Sequence, residues 1–326
     1  MRPFFWGRDL TGTVPGEFSL VRCEICSLSL LWPIPDKRQV FSFYPDDYYQ
    51  FGAKQRAKII RRAMRVSHSW RSILPKRNYS FLGHTRLGCL LKVDLPYSPV
   101  FPFSEIVEGI DNRRILDIGC GTGEFLLAMK NMGWETWGVE PNLVAATVAK
   151  SLGLRVFHGE LNEASLPAGY FQVIRLHHVL EHIYNPVETM REIHRLLSKE
   201  GRLIVTVPNI GGMGFKIFGR FWWGLDLPRH IFHYSPGSLS TLAEETGFRI
   251  VRIFHHGSKS ILVRSLSLAI SRKKSWQRIV RRLPPVQLVG NILQWLGKIS
   301  RRSEEFTAFL RRLPLPETVG QSGSDR

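Results

Sequence analysis

Acidic residues are missing from two long stretches of this 326-residue chain. Between Asp47 and Asp94 there is no acid, and eleven Lys or Arg; between Glu245 and Glu304 there is again none, and thirteen. Elsewhere the balance is 21 basic to 27 acidic residues, so a mildly acidic body carries two basic additions that set the net charge of +18. Acid-free basic blocks predict contact with an anionic partner, a membrane surface or a nucleic acid. Cysteine is scarce, with four residues, which excludes a disulfide scaffold. No apolar run reaches the ~18 residues of a spanning helix, and no secretory signal pattern is visible at the start. The expectation is a reducing, cytoplasmic setting, peripheral at the inner face of the membrane. With 44% hydrophobic residues the chain can bury a large core.

Residues 1–50 read as a turn-rich region. Cys23 and Cys26 have the spacing of a zinc knuckle. A tetrahedral site needs a second pair, and upstream stand Phe4-Phe5-Trp6-Gly7-Arg8-Asp9 instead. The pair therefore reads as a vestigial turn with reduced thiols, and no metal is assigned. Residues 51–110 read as a basic helix over 54–74 followed by a Pro-punctuated linker.

From 111 to 254 the pattern changes. Short apolar runs at Arg114–Ile118, Thr136–Glu140, Arg155–Phe157, Tyr170–Leu176, Arg202–Val207 and Arg249–Phe254 alternate with helical stretches. That alternation predicts an α/β fold with a doubly wound sheet. Gly201 reads as the close of the helix that starts at Pro186. Residues 255–312 read as a basic excursion. Val286, Val289, Leu293 and Leu296 fall at helical spacing within it, suited to an anionic membrane surface or to a homodimer contact. Glu305–Leu310 is proposed as a late seventh strand, and 313–326 as a disordered tail.

The chemistry concentrates at strand ends. Asp117-Ile-Gly119-Cys120-Gly121-Thr122-Gly123-Glu124 is a glycine-rich turn between a strand and a helix. Such a turn admits a ligand close to the backbone and aims helix N–H groups at it. The dinucleotide fingerprint needs glycine where Glu124 stands. Flanking carboxylates suit a ligand bearing an ammonium group better than a pyrophosphate. Glu140, 17 residues beyond Gly123, sits where a ribose-binding acid belongs.

These residues resemble motif I and the second-strand acid of class I S-adenosylmethionine-dependent methyltransferases. His177-His178-Val-Leu-Glu181-His182 with Asn185-Pro186, and Leu196 to Asn209, resemble the branch that includes ubiquinone-pathway O-methyltransferases. Cys23/Cys26, Pro33-Ile-Pro35 and Tyr44 to Tyr49 resemble that branch's N-terminal pattern. The resemblance implies a Rossmann-like seven-stranded sheet and S-adenosylmethionine as cofactor. It implies cofactor contacts from Asp117, Gly119, Cys120, Gly121, Thr122, Gly123, Glu140, Pro141, Glu160, Leu161 and His178. Gln172 replaces the family's usual strand-four aspartate. If the stretch is helical, His178, Glu181 and His182 share one face and are a metal candidate set; otherwise His178 lines the cofactor pocket, and Glu181 and His182 orient the loop. Over the substrate side, Trp222 to Tyr234 combines aromatic walls with titratable groups. His230, and after it His182, are the candidate bases for a hydroxyl proton. The expected activity is methyl transfer to a small-molecule, glycan or lipid-linked acceptor. The alternatives are an RNA methyltransferase, although no Asn-Pro-Pro-Tyr-like tetrapeptide or RNA-binding module is present, and a non-catalytic cofactor-binding scaffold.

Overall fold

The computed structural model describes residues 1–43, 60, 110, 112–272, 294, 296–297 and 300–313. In chain order the strands and helices are β1 (Arg2–Gly7), β2 (Phe18–Arg22), β3 (Ser29–Trp32), β4 (Arg114–Ile118), α1 (Glu124–Asn131), β5 (Glu135–Glu140), α2 (Leu143–Ser151), β6 (Arg155–His158), β7 (Phe171–His177), α3 (Pro186–Leu196), β8 (Leu197–Pro208), α4 (Met213–Phe218), β9 (Phe232–His233), α5 (Pro236–Glu245), β10 (Phe248–His256), α6 (Lys259–Arg272) and β11 (Glu305–Arg312). Seven of the strands form one sheet in the order β10-β11-β8-β7-β4-β5-β6. The strand order reverses at β4, whose neighbours β5 and β7 both run parallel to it. In open α/β sheets that switch point, at the carboxyl ends of the strands, is where ligands bind. β11 is the antiparallel member, inserted between β10 and β8. The late strand expected from Glu305 is thus present, after an excursion of about fifty residues.

Local signals explain the elements. Pro186 and Pro236 occupy first-turn positions, where a missing N–H costs nothing. Asn142, Asn185 and Ser235 cap the helices that follow them through side-chain oxygens. The central strands are apolar on both faces: Leu116, Ile174 and Val205 are buried on one and Ile115, Val173 and Ile204 on the other, as a sheet covered on both sides demands. Burial of this kind stabilises by roughly 25 cal/mol per Å² of apolar surface.

Three expectations need correction. Gly201 does not close a helix: α3 ends at Leu196 and β8 runs through Gly201. There a Cβ would meet Leu197 Cγ at 2.6 Å, so packing selects the glycine. The stretch from His178 to His182 is not one α-helix. His178 has a left-handed φ of 55°, and only Leu180–His182 forms a 3₁₀ turn. The N-terminal region is not merely turns: β1, β2 and β3 build a small sheet completed by β9. Its register pairs Ser29 with His233 and Leu30 with Phe232, which stitches the N-terminal hairpins to the segment after His230. The helix expected over 54–74 and the linker to 110 lie outside the described residues, apart from Ile60 and Ile110. So do Val286, Val289, Leu293 and the tail beyond Leu313.

Candidate functional site

The turn after β4 is shaped by three glycines with positive φ, Gly119, Gly121 and Gly123. They do different things. A Cβ on Gly119 would strike Val179 Cγ2 at 2.4 Å, and one on Gly123 would strike Leu154 Cδ1 at 2.3 Å. These two hold the turn against its neighbours. A Cβ on Gly121 would meet nothing within 4 Å, so the turn is open there. Thr122 lies between them, part exposed, and the Cys120 thiol is buried and pushed upward by that burial. Gly123 caps α1 without a side-chain hydrogen bond.

Glu140 ends β5 beside this opening and is 7% exposed. Its carboxylate accepts from Gly121 N–H at 2.8 Å and from Asn142 N–H at 2.9 Å. Burial raises its pKa against those two hydrogen bonds. Pro141 follows at the surface. A glycine turn with open space over Gly121, and a carboxylate fixed at its rim, fit the ribose and amino-acid halves of S-adenosylmethionine. On the far side Glu160 opens a 3₁₀ turn with Leu161 buried beneath it. Glu160 pairs with Lys37 Nζ at 2.5 Å, an exposed contact that stabilises little.

Asp117 departs from expectation. It does not flank the turn as a free carboxylate. Arg175 of β7 donates to it from Nη1 at 2.8 Å, and Asp117 is 1% exposed. Burial pushes the Asp117 carboxyl up and the Arg175 guanidinium counteracts it. Arg175 also lies over the Phe125 ring, 4.0 Å from its centroid. Gln172 sits at the opposite end of the strands, accepting from Arg114 Nε at 3.2 Å. The family's missing aspartate is therefore not a group of the glycine-turn end.

The end of β7 leads into a second cluster. Glu181 is 1% exposed, and neither carboxylate oxygen has a hydrogen-bond partner. His178 Nδ1 lies 3.4 Å from Glu181 Oε1, and His230 Nε2 lies 4.0 Å from the same atom. His182 and His230 stack edge to face with centroids 4.7 Å apart. Burial alone would raise the Glu181 pKa; the imidazoles of His178, His230 and His182 outweigh it and bring it down to about 2. Burial opposes the imidazolium of His178, but Glu181 and Glu305 prevail and raise its pKa. Burial, reinforced by His182, lowers His230 to about 4 against the pull of Asp226 and Glu181. Burial likewise brings His233 to about 3. Tyr234 is fully buried, and its phenol is pushed up by burial and by the nearby charge of Glu181. His230 and His182, from separate parts of the chain, are thus brought together, and His178 joins them through Glu181.

Arg175, Asp9 and Arg229 carry no mark in a motif. Arg175 is visible in the sequence only as a cation within the apolar run Phe171–His177. Arg229 is 2% exposed; it donates to Asp9 Oδ1 at 2.7 Å, to Asp226 Oδ1 at 2.9 Å and to the Phe43 carbonyl at 2.7 Å. This locks the loop carrying His230 onto the N-terminal sheet.

Residues 97–253 match the family model described as a methyltransferase domain. Over 156 residues the chain is 26% identical to a ubiquinone biosynthesis O-methyltransferase of Pseudomonas aeruginosa, an overlap of 44% of this chain and 67% of the relative. Over 215 residues it is 26% identical to a tRNA U34 carboxymethyltransferase of Methylococcus capsulatus, covering 62% of each chain. A crystallised SAM-dependent methyltransferase from Archaeoglobus fulgidus is similar at a TM-score of 0.46 and 20% identity, over 65% of this chain and 90% of that one. Taken with the strand order and the open turn at Gly121, the match makes residues 97–253 a methyltransferase domain of the class I kind, whose cofactor is S-adenosylmethionine.

Proposed function

We propose that the enzyme methylates an oxygen of a small-molecule, glycan or lipid-linked acceptor, working peripherally at the cytoplasmic face of an anionic membrane. The observation that carries the acceptor side is the meeting of two imidazoles with the buried, unpartnered carboxylate of Glu181. When bound, S-adenosylmethionine supplies a methyl group on an electrophilic sulfonium. What remains for the chain is to align the acceptor with that methyl group and to exclude water. In this reading the turn of Gly119, Cys120, Gly121, Thr122 and Gly123 holds the amino-acid end of the cofactor, and Asp117, paired with Arg175, supports that turn. Glu140 and Pro141 hold its ribose, Glu160 and Leu161 flank its base, and His178 lines the pocket. His230, with His182 beside it, faces the acceptor hydroxyl and takes its proton. The O-methyltransferase relatives support an oxygen acceptor. The two acid-free basic blocks support the membrane surface.

Incubation with methyl-labelled S-adenosylmethionine and fractionated bacterial extract tests this. Label is expected in the lipid-extractable or small-molecule fraction, and is lost with Glu140→Ala. The basic blocks, with the resemblance to a tRNA-modifying relative over 215 residues, favour a second reading, an RNA acceptor. Label confined to RNA would establish that reading and overturn the first.

A further inference from the structure

Glu181, His182 and His230 each bring one ligand atom within 4.8 Å of the others. Two come from the turn after β7 and one from the loop before β9. The buried carboxylate of Glu181 has two oxygens with no hydrogen-bond partner, a costly state for a charged group unless a cation faces it. The two imidazoles turn Nδ1 away from that carboxylate. His182 Nδ1 lies 2.9 Å from the Arg229 carbonyl and His230 Nδ1 lies 3.1 Å from the Gly224 carbonyl. A carbonyl only accepts, so each Nδ1 carries a hydrogen and each Nε2 is the atom left to serve as a ligand. His230 Nε2 then confronts Glu181 Oε1 at 4.0 Å and Asp226 Oδ2 at 3.8 Å, acceptors facing an acceptor. Nearby cations do not fill the gap: Arg229 is engaged by Asp9, Asp226 and Phe43, and His178 approaches only Oε1, at 3.4 Å. Imidazoles fixed through Nδ1–H to backbone carbonyls are the usual outer arrangement of metal-ligating histidines.

We propose that Glu181, His182 and His230 bind a divalent first-row transition ion of the zinc class. Two imidazoles and one carboxylate favour such an ion over magnesium or calcium, which prefer oxygen donors. This is a different ligand set from His178, Glu181 and His182, because the left-handed turn at His178 breaks the helix that set requires. The ion clips the His230 loop to the end of β7. Three protein ligands leave coordination open, and there the proposal deepens the acceptor-side reading and rests on it: the ion would hold the hydroxyl oxygen and ease loss of its proton to water, with His230 and His182 serving as ligands in place of bases.

The test is titration of the chelator-treated full chain with Zn(II) and Co(II), by calorimetry and visible absorption. It is run in a Cys23→Ser/Cys26→Ser background, so that the hairpin thiols contribute nothing. One ion per chain is expected, lost in His230→Ala and in Glu181→Gln, kept in His178→Ala, and not displaced by Mg(II). Circular dichroism and the thermal unfolding midpoint of each variant show that it is folded. A folded parent chain that takes up no stoichiometric Co(II), or uptake unchanged by His230→Ala, overturns the site. Methyl transfer undiminished in a chain that binds no ion would leave the proposed function standing while removing this inference.

Discussion

At the scale of single residues, burial decides more than identity. Glu304 is 2% exposed and accepts from Trp222 Nε1 at 2.6 Å and from Gly214 N–H at 2.9 Å. Burial still raises it from its ordinary 4.5 to about 7. The fold therefore favours the protonated form. That contribution is fully present below pH 4.5 and is lost as pH rises through about 7, an effect of roughly 3 kcal/mol at most. Chemical denaturation between pH 4.5 and 7.5 is expected to show stability falling with pH, and Glu304→Gln to flatten the slope. Arg175 poses the converse case. Removing it leaves Asp117 buried without its cation, and Arg175→Ala is expected to cost about 3–5 kcal/mol in denaturant unfolding. A loss below 1 kcal/mol would mean that Asp117 is protonated or solvated. Neither residue belongs to a motif, because their roles come from neighbours dozens of positions away.

At the scale of elements, most strands and helices between 114 and 256 were legible in the sequence to within a few residues; α4 and β9 were not, and β8 starts five residues before the expected Arg202. Their apolar runs, prolines and Asn or Ser caps are local signals, and the late antiparallel strand at Glu305 was legible from its alternation. What local signals could not reveal is pairing. The N-terminal strands are short, β1 and β2 are separated by a loop holding Gly12, Pro15 and Gly16, and the sheet they form with β3 is completed by β9, two hundred residues downstream. The glycine turn and Glu140 were legible because their spacing is local. The Glu181 cluster was legible only in part, since His230 reaches it through the Arg229 lock. Cutting that lock is expected to act on both. Asp9→Ala strands part of the buried Arg229 charge and is expected to destabilise by about 3 kcal/mol. It should also raise hydrogen exchange in β9 and the His230 loop more than in β4 and β5. Uniform exchange across both sheets would show that the N-terminal sheet does not hold the loop.

At the scale of the whole molecule, charge and core are unevenly shared. No helix among the described residues is long and apolar enough to cross a membrane. α6, inside the second basic block, buries Ile261, Leu262, Leu266 and Ala269 in a cluster with Leu20, Leu31 and Trp222. Deleting residues 255–300 would therefore break the core as well as remove charge. Reversal of Lys273, Lys274, Arg281 and Arg282 to Glu changes the charge without shortening the chain, and Tm checks that the fold is kept. Anionic vesicles in low salt are expected to retain the parent chain and lose the variant, by about 1 kcal/mol per basic residue at the surface. Equal retention of both would remove the membrane surface from the proposed function.

The central claim is that the turn from Gly119 to Gly123, with Glu140 at its rim, binds S-adenosylmethionine. Calorimetric titration of the purified chain tests it most directly, with Gly121→Arg and Glu140→Ala alongside. The arginine forces a side chain into the open space at a φ of 55°, and the alanine removes the rim carboxylate. The account predicts saturable binding by the parent chain and its loss or sharp weakening in both variants. A folded parent chain that binds nothing, or variants that bind as well as the parent, would contradict it.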